Sequence, residues 1–355
     1  MTLKTDFFER SEGQLLAPTV VAWQSRHGRH DLPWQNTRDP YRVWLSEIML
    51  QQTQVATVLG YFDRFMARFP SVDALAQASL DEVLHLWSGL GYYSRARNLH
   101  RCAQEVLGTY AGVFPRTAMQ LQSLPGVGPS TAAAIASLCF GERVAILDGN
   151  VKRVLTRYLG FDADLAKAAN ERNLWALATK LLPDTDLFQS MPKYTQGMMD
   201  LGATICSLKR PACDTCPLQT HCVGHAQGQP ERYPVKTRRL KRTAQSIWML
   251  WAKSEDGALW LSQRPTPGVW AGLYCFALFD SLDALQAALP ESARENLTEL
   301  TPFKHVLTHK DLYLHPVQVV LPHTCRWSET GAWFAPEQWA VLGMPAPVAK
   351  LLRSI

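Results

Sequence analysis

The sequence lacks long hydrophobic runs. No window of about eighteen residues is both apolar and free of charge, which is roughly the length that a membrane-spanning helix needs. The opening stretch MTLKTDFFERSEG also lacks the apolar core of a secretion signal. We therefore expect a protein without a membrane partner that stays in the cytosol.

Neither sign of charge is in large excess. Lys and Arg total 36 against 31 Asp and Glu, which gives a formal net charge of +5. This bias is compatible with a polyanionic partner but is weak evidence for one. The 355 residues are 47% hydrophobic, so the chain can form two or three cores, and global disorder is excluded.

The patterning divides the chain into three parts. Residues 1–225 are mostly α-helical, with helix starts predicted at Asp39-Pro40 and at Ser79, where Glu82 completes a capping box. Residues 226–244 are polar and basic and are predicted to form a linker. Residues 245–355 form a smaller α+β domain, in which SIWMLWAKSEDGALWLSQRP predicts two strands joined by a turn.

Cysteine is used in two ways. Cys102, Cys139, Cys275 and Cys325 stand alone, and in a cytosolic chain we expect them to be buried as small apolar residues. The other four occupy one segment with the spacing C-x6-C-x2-C-x5-C: Cys206, Cys213, Cys216 and Cys222. Four thiolates so close together can bind either zinc or an iron–sulfur cluster.

Two carboxylates and a glycine turn stand out among the helices. Glu47 lies within the apolar run VWLSEIMLQQTQV, where burial would hold its proton to a higher pH. Asp148, in AILDGNVKRVL, precedes an amphipathic helix and could be a simple N-cap. The turn LPGVG, residues 124–128, could place free amides of a helix N-terminus against phosphate or could merely connect two helices.

Taken in order, these motifs resemble the helix–hairpin–helix DNA glycosylase superfamily with an iron–sulfur loop. The segments DLPWQ, YRVWLSEIMLQQTQVATV, WSGLGYYSRARNL and MMDLGATIC are similar to adenine DNA glycosylases of the MutY type. The similarity covers nearly all of residues 15–225 and continues, more weakly, into a Nudix-like C-terminal domain. The resemblance implies the matching fold for each part and one [4Fe-4S] cluster on the four clustered cysteines.

The resemblance also implies a reaction, excision of adenine mispaired with 8-oxoguanine or guanine in duplex DNA. Glu47 matches the general acid, Asp148 the carboxylate that stabilises the sugar cation, and Asn150 a neighbour that hydrogen-bonds near it. Protonation makes adenine a better leaving group, and an ionised Asp148 suits a centre with oxocarbenium character. The adenine must first be flipped out of the stack.

Further positions follow from the same resemblance. Residues near the adenine pocket are His30, Leu32, Trp34 and Val55. Residues that contact DNA are Gln52, Tyr92, Leu124, Gly126, Val127, Gly128, Ser130 and Lys152, with Gln52 and Tyr92 as wedges beside the lesion. Ser130 stands where related strand-cutting enzymes carry a Schiff-base lysine. Without an amine there, we expect a monofunctional glycosylase.

The C-terminal part lacks the glutamate-rich helix of a catalytic Nudix domain, so we expect no nucleotide hydrolysis there. The resemblance assigns lesion recognition to Thr308 and His309, with Leu307 in place of an aromatic residue. A glycosylase-lyase for oxidised pyrimidines and a catalytically silent DNA-binding protein remain as rival hypotheses. We expect a monomer that acts on the nucleoid in the cytoplasm of a bacterial-type cell.

Overall fold

A computed structural model of the protein describes residues 15–237, 241–325, 327–328 and 330–353. The expectation that the opening stretch is not a secretion signal concerns residues outside the described part. Residues 238–240 of the predicted linker also lie outside it. As far as it is described, the chain forms two compact units. The first combines Met1–Phe62, Ser71–Asp73 and Arg101–Arg239, and the second combines Asp63–Pro70, Ala74–His100 and Leu240–Ile355. Within the described ranges no helix is long and apolar enough to span a membrane.

The N-terminal two thirds of the chain are helical. The helices are α1 (Leu16–His27), α2 (Pro40–Leu50), α3 (Val55–Arg68), α4 (Val72–Gln77), α5 (Leu80–Trp87), α6 (Ser94–Tyr110), α7 (Ala118–Leu121), α8 (Pro129–Phe140), α9 (Gly149–Leu159), α10 (Ala168–Lys180), α11 (Leu187–Asp200) and α12 (Val223–Ala226). A π-helical turn, Leu201–Ile205, continues α11 towards the cysteine segment.

The predicted helix starts are confirmed. Asp39 accepts a hydrogen bond from the Tyr41 amide at the start of α2, where Pro40 occupies the first turn. The Ser79 hydroxyl accepts one from the Glu82 amide at the start of α5. Each of these side chains satisfies an amide that the helix itself leaves without a partner.

The core of the first unit forms around α8, α9 and α11. α8 contributes small residues such as Ala133 and Ala134, which allow close approach of neighbouring helices, while Val154 and Tyr158 of α9 supply bulk. The hydroxyls of Ser137 and Thr195 lie 2.6 Å apart in the buried contact between α8 and α11. This core holds the N-terminus of α9, where Asp148 lies, in a fixed position.

The predicted linker is partly packed. Tyr233 is 3% exposed, its carbonyl accepts a hydrogen bond from Arg157, and Thr237 bonds to Asp164. Residues 226–237 therefore include an ordered segment on the first unit rather than a fully solvated connector. This packing was not predicted from the sequence, because Tyr233 lies in a mostly polar segment.

The second unit contains a mixed sheet. Its strands are β1 (Thr243–Lys253), β2 (Leu259–Gln263), β3 (Tyr274–Cys275), β4 (Ala277–Phe279), β5 (Thr298–Glu299), β6 (Phe303–Val306), β7 (Lys310–Val320) and β8 (Ala332–Phe334). β1 runs parallel to β7 from Thr243↔Lys310 to Lys253↔Val320. The predicted pair β1 and β2 is confirmed as antiparallel, and Gly257 has the positive φ that its turn requires.

Helices α13 (Leu282–Ala287), α14 (Glu291–Arg294), α15 (Pro336–Trp339) and α16 (Ala346–Leu352) complete the second unit. Leu285 and Leu289 pack against Leu250 and Val317 of the sheet. Among the isolated cysteines, Cys102, Cys139 and Cys275 are buried as predicted, whereas Cys325 is only partly buried. The mixed α+β class predicted for this part is confirmed.

Candidate active site

Glu47 lies on α2 among buried side chains. Trp44, Leu45 and Ile48 are at most 3% exposed, and Glu47 itself lines a pocket of about 460 Å³. Burial raises the pKa of Glu47 to about 7, and the negative charge of Asp148 adds to this effect. A carboxyl group with such a pKa can be protonated near neutral pH and can donate its proton to a leaving group.

Asp148 caps the N-terminus of α9. Its Oδ1 accepts a hydrogen bond of 2.8 Å from the Val151 amide, so it does have the N-cap role that the sequence left open. Burial raises its pKa, while the backbone amides of Val151 and Asn150 and the charges of Arg153 and Lys152 act in the opposite direction. Hydrogen bonds and positive charge around Asp148 thus lower its pKa, but they do not cancel the effect of burial.

The pocket beside Glu47 contains only part of the predicted set. His30 and Trp34 line it, and Trp34 packs edge-on against Phe62 at 5.2 Å between ring centroids. Leu32 and Val55 are not among its lining residues. Leu32 is buried at 8% exposure.

An ion pair that was not predicted from the sequence lies beside the pocket. Asp200 is fully buried and pairs with Arg29 at 2.6 Å, and its Oδ1 also accepts a hydrogen bond from Gln196 at 2.9 Å. Arg29 and Gln196 both line the pocket. Because 171 residues separate Arg29 from Asp200, no local pattern could have predicted the pair.

Asn150 connects α9 to the cysteine segment. Its Oδ1 accepts a hydrogen bond of 2.9 Å from Arg153, and the Arg153 Nε donates to the carbonyl of Cys206 at 2.6 Å. Gly202 lies so close to Asn150 that an added Cβ would be 2.6 Å from the Asn150 Cβ.

Lys152, predicted to contact phosphate, forms an ion pair with Glu171.

The four clustered cysteines line one cavity, together with Arg157 and other residues. Arg157 is only 1% exposed, and its guanidinium donates to the Cys206 Sγ at 3.3 Å, to the Ser207 carbonyl at 2.7 Å and to the Leu208 carbonyl at 3.1 Å. In the described part of the chain, no group of three or more His, Cys, Asp or Glu is arranged to hold a metal ion directly. Arg157 was not singled out from the sequence, since an arginine inside an amphipathic helix ordinarily faces solvent.

The glycine turn presents backbone rather than side chains. Leu124 and Val127 are 2% and 4% exposed, so they anchor the turn in the core. Gly126 has a φ of 76°, and an added Cβ on Gly128 would face open space. Gly128 is the N-cap of α8, so the amides that follow it are suited to an anion.

Ser130 has an intramolecular role. Its hydroxyl accepts a hydrogen bond of 3.1 Å from the Leu147 amide, immediately before Asp148. The first turn of α8 is thereby fixed to the segment that carries the catalytic candidate.

Gln52, in the first unit, and Tyr92, in the second, have φ values of 58° and 49°. Non-glycine residues in this left-handed region are strained, and such strain is concentrated at functional sites. Tyr92 is also 42% exposed. Both features are compatible with the wedge role predicted for these residues.

Within the second unit, Tyr92 meets the predicted lesion-reading residues. Its hydroxyl lies 2.6 Å from the Thr308 Oγ1, although 216 residues separate them. Thr308 and His309 occupy the turn between β6 and β7, and with Tyr92 they line a largely apolar pocket of about 630 Å³. Leu307 lines it too, so this position still contributes apolar surface without an aromatic ring.

Comparison with known proteins defines the class. A family model described as HhH-GPD superfamily base excision DNA repair protein matches residues 45–180, and a NUDIX domain model matches residues 247–354. A solved thermostable thymine-DNA glycosylase superposes with a TM-score of 0.54 at 29% identity, over 61% of this chain and 98% of that chain. An endonuclease III–DNA complex gives 0.50 at 21% identity, over 64% and 98% of the two chains, a likeness of fold alone. The helical fold with its buried carboxylates is thus that of a base excision DNA repair glycosylase.

Curated relatives narrow the class further. An adenine DNA glycosylase of Buchnera aphidicola subsp. Acyrthosiphon pisum is 36% identical over 345 residues, which cover 96% of this chain and 97% of the relative. The human adenine DNA glycosylase is 42% identical over 223 residues, or 60% of this chain and 40% of the relative. The chain belongs to the adenine DNA glycosylase family.

Proposed function

We propose that this protein is a monofunctional DNA glycosylase that removes adenine mispaired with 8-oxoguanine or guanine from duplex DNA. It hydrolyses the N-glycosidic bond after the adenine is flipped into the pocket beside Glu47. The observation that carries this proposal is Glu47 itself, a carboxyl with a pKa of about 7 that lines a pocket and lies close enough to Asp148 for their charges to interact.

The division of labour follows from the two environments. Glu47 holds a proton near neutral pH and donates it to the adenine as the bond breaks. Asp148, oriented by the Val151 amide and flanked by cationic side chains, stabilises positive charge at the sugar. Glu47, once ionised, assists deprotonation of the attacking water. Asn150 and Arg153 hold the start of α9 in register with the cysteine segment.

The four clustered cysteines have the ligand chemistry of one [4Fe-4S] cluster. Four thiols converge on one cavity, yet no three described ligands are arranged to share a single ion. Four cysteine thiolates are the usual ligand set of such a cluster, and the same set can also bind zinc. Cys206, Cys213, Cys216 and Cys222 would bind it, and the bound cluster would supply four covalent links that fix the loop.

The remaining proposals concern DNA. The amides after Gly128 receive a backbone phosphate, and Gln52 and Tyr92 separate the bases beside the lesion. Residues 245–355 read the lesion through Thr308 and His309. The enzyme acts as a monomer on chromosomal DNA in the cytoplasm, and residues 226–244 join its two parts.

A single-turnover assay on a labelled duplex with adenine opposite 8-oxoguanine tests the proposal. Half of each sample is heated in alkali before electrophoresis, and the same duplex with thymine glycol in place of adenine serves as a control substrate. We expect strand cleavage only after alkali and only for the adenine duplex. Cleavage without alkali would indicate a lyase, and tight binding without any cleavage would favour a catalytically silent DNA-binding protein.

A further inference from the structure

The turn that carries Thr308 and His309 is held at both ends by backbone hydrogen bonds. β6 and β7 pair up to the residues that flank it, and the Leu307 amide donates to the Lys310 carbonyl at 2.8 Å. The His309 carbonyl accepts a hydrogen bond of 3.1 Å from the Thr243 amide at the start of β1. The sheet thereby fixes the ends of the turn, whereas its tip, Thr308, is held by side chains.

One of these side chains comes from the predicted linker. Arg242 belongs to the basic segment 226–244, and its Nη1 donates to the Thr308 carbonyl at 2.9 Å, although 66 residues separate the two. The Thr308 hydroxyl is engaged as well, by the Tyr92 hydroxyl at 2.6 Å. Arg242, Tyr92 and Thr308 all belong to the second unit. Thr308 is therefore bonded both at its backbone and at its side chain.

Arg242 is itself oriented by Asp311. Its Nη2 donates to the Asp311 Oδ1, while Lys304 pairs with the Asp311 Oδ2 at 2.8 Å. Hydrogen bonds from Lys304 and Arg242 lower the pKa of Asp311, so this carboxyl group stays ionised at neutral pH. Because the donors of a guanidinium are fixed in one plane, the contact with Asp311 also sets the direction in which Nη1 meets the Thr308 carbonyl.

We infer that Arg242 is a positioning residue through which the protein distinguishes 8-oxoguanine from guanine. The two bases differ at C8 and N7, where the oxidised base carries an oxygen and a hydrogen that guanine lacks. A hydroxyl such as that of Thr308 can donate or accept there. Hydrogen bonds weaken steeply when they are misaligned, so discrimination depends on where the tip of the turn is held. The inference rests on the proposed function, because it takes this turn to be the part that reads the lesion.

The alternatives are that Arg242 only supports the fold or only attracts DNA. A supporting role would lower the unfolding temperature without favouring one duplex over another. A role in attracting DNA would act through the phosphates, whose charge is the same opposite adenine whether the base is 8-oxoguanine or guanine. A changed preference between these two duplexes is therefore specific to positioning.

The experiment measures this preference in wild type and in Arg242→Met, which keeps an apolar stem and loses every donor. Single-turnover excision of adenine opposite 8-oxoguanine and opposite guanine is followed over a range of enzyme concentrations. For each duplex the maximal rate is divided by the half-saturating concentration, and the two quotients give a preference ratio. We expect this ratio to fall about fivefold in R242M, the value of one exposed charge-assisted contact.

Arg294→Met is the matched control. Arg294 also donates to a main-chain carbonyl of the second unit, that of Leu289 at 3.1 Å, but it does not line the pocket at the turn. R294M should therefore keep the wild-type ratio. Asp311→Asn removes the charge that orients Arg242 and should lower the ratio in the same direction as R242M. Thermal unfolding of all three variants should stay well above the assay temperature.

An unchanged ratio in R242M, or an equal fall in R294M, would overturn the inference. An unchanged ratio in D311N would refute the part assigned to Asp311. If the wild type excises adenine equally well opposite both bases, the lesion-reading role fails and the inference fails with it. Absence of any excision by the wild type would instead refute the proposed function.

Discussion

The raised pKa of Glu47 has a consequence for stability that is separate from catalysis. An unfolded glutamate titrates near 4.5, whereas the folded protein holds Glu47 at about 7. Between pH 4.5 and about 7 the folded state therefore keeps the Glu47 proton while the unfolded state loses it. The free energy of unfolding consequently falls as the pH rises through this window. Above pH 7 the rise of the Glu47 pKa from 4.5 to about 7 corresponds to a destabilisation of about 3 kcal/mol.

Glu47→Gln replaces the carboxyl with a neutral group of the same shape. We expect E47Q to be more stable than the wild type at pH 8 by about 3 kcal/mol, but by less than about 1 kcal/mol at pH 5, where the wild-type carboxyl is already protonated in the folded state. Urea unfolding of both proteins at pH 5, 6, 7 and 8 measures the difference. Other titrating groups are common to both proteins, so their contributions cancel.

The same variant should bind a duplex with adenine opposite 8-oxoguanine and should not excise the adenine at any pH. A stability difference that stays constant from pH 5 to pH 8 would show that Glu47 has an ordinary pKa, and the acid assignment would lose its physical basis. Excision by E47Q at the wild-type rate would refute the assignment directly.

Three further predictions concern neighbouring groups. Asp148→Asn should keep the helix cap, since asparagine caps as well as aspartate, but should slow excision by roughly 10²-fold or more through loss of the charge. Asp148→Ala should in addition lower the free energy of unfolding by about 1 kcal/mol. Equal excision rates for D148N and wild type would contradict the role of Asp148 in stabilising positive charge at the sugar. Wild-type single-turnover excision should fall as the pH rises above about 7, the pKa of Glu47, approaching tenfold per pH unit, and a flat profile up to pH 9 would contradict the general-acid step. Arg157→Met should destabilise the protein by about 3 kcal/mol, since it leaves the carbonyls of Ser207 and Leu208 without their donor. The visible absorbance of the proposed iron–sulfur cluster should also be lost faster on storage of the purified variant in air. Unchanged absorbance and unchanged unfolding would show that Arg157 does not organise the cysteine loop.

Local features of the site could be predicted from the sequence alone. Glu47 was recognisable because most nearby positions on its helix are apolar, and desolvation depends on just such neighbours. Asp39 and Ser79 were recognisable as helix caps because a cap acts on amides two or three residues away. The four cysteines were recognisable from spacing within seventeen residues, and the structure places them around one cavity.

Long-range contacts needed the tertiary structure. Only the fold places Asp200 against Arg29 and the Thr308 hydroxyl against Tyr92. Only the fold groups Ala74–His100 with the C-terminal unit, whereas the sequence suggested consecutive domains. Chain composition determined which groups could do the chemistry, and packing between distant segments decided which of them are desolvated, paired or left free for a substrate.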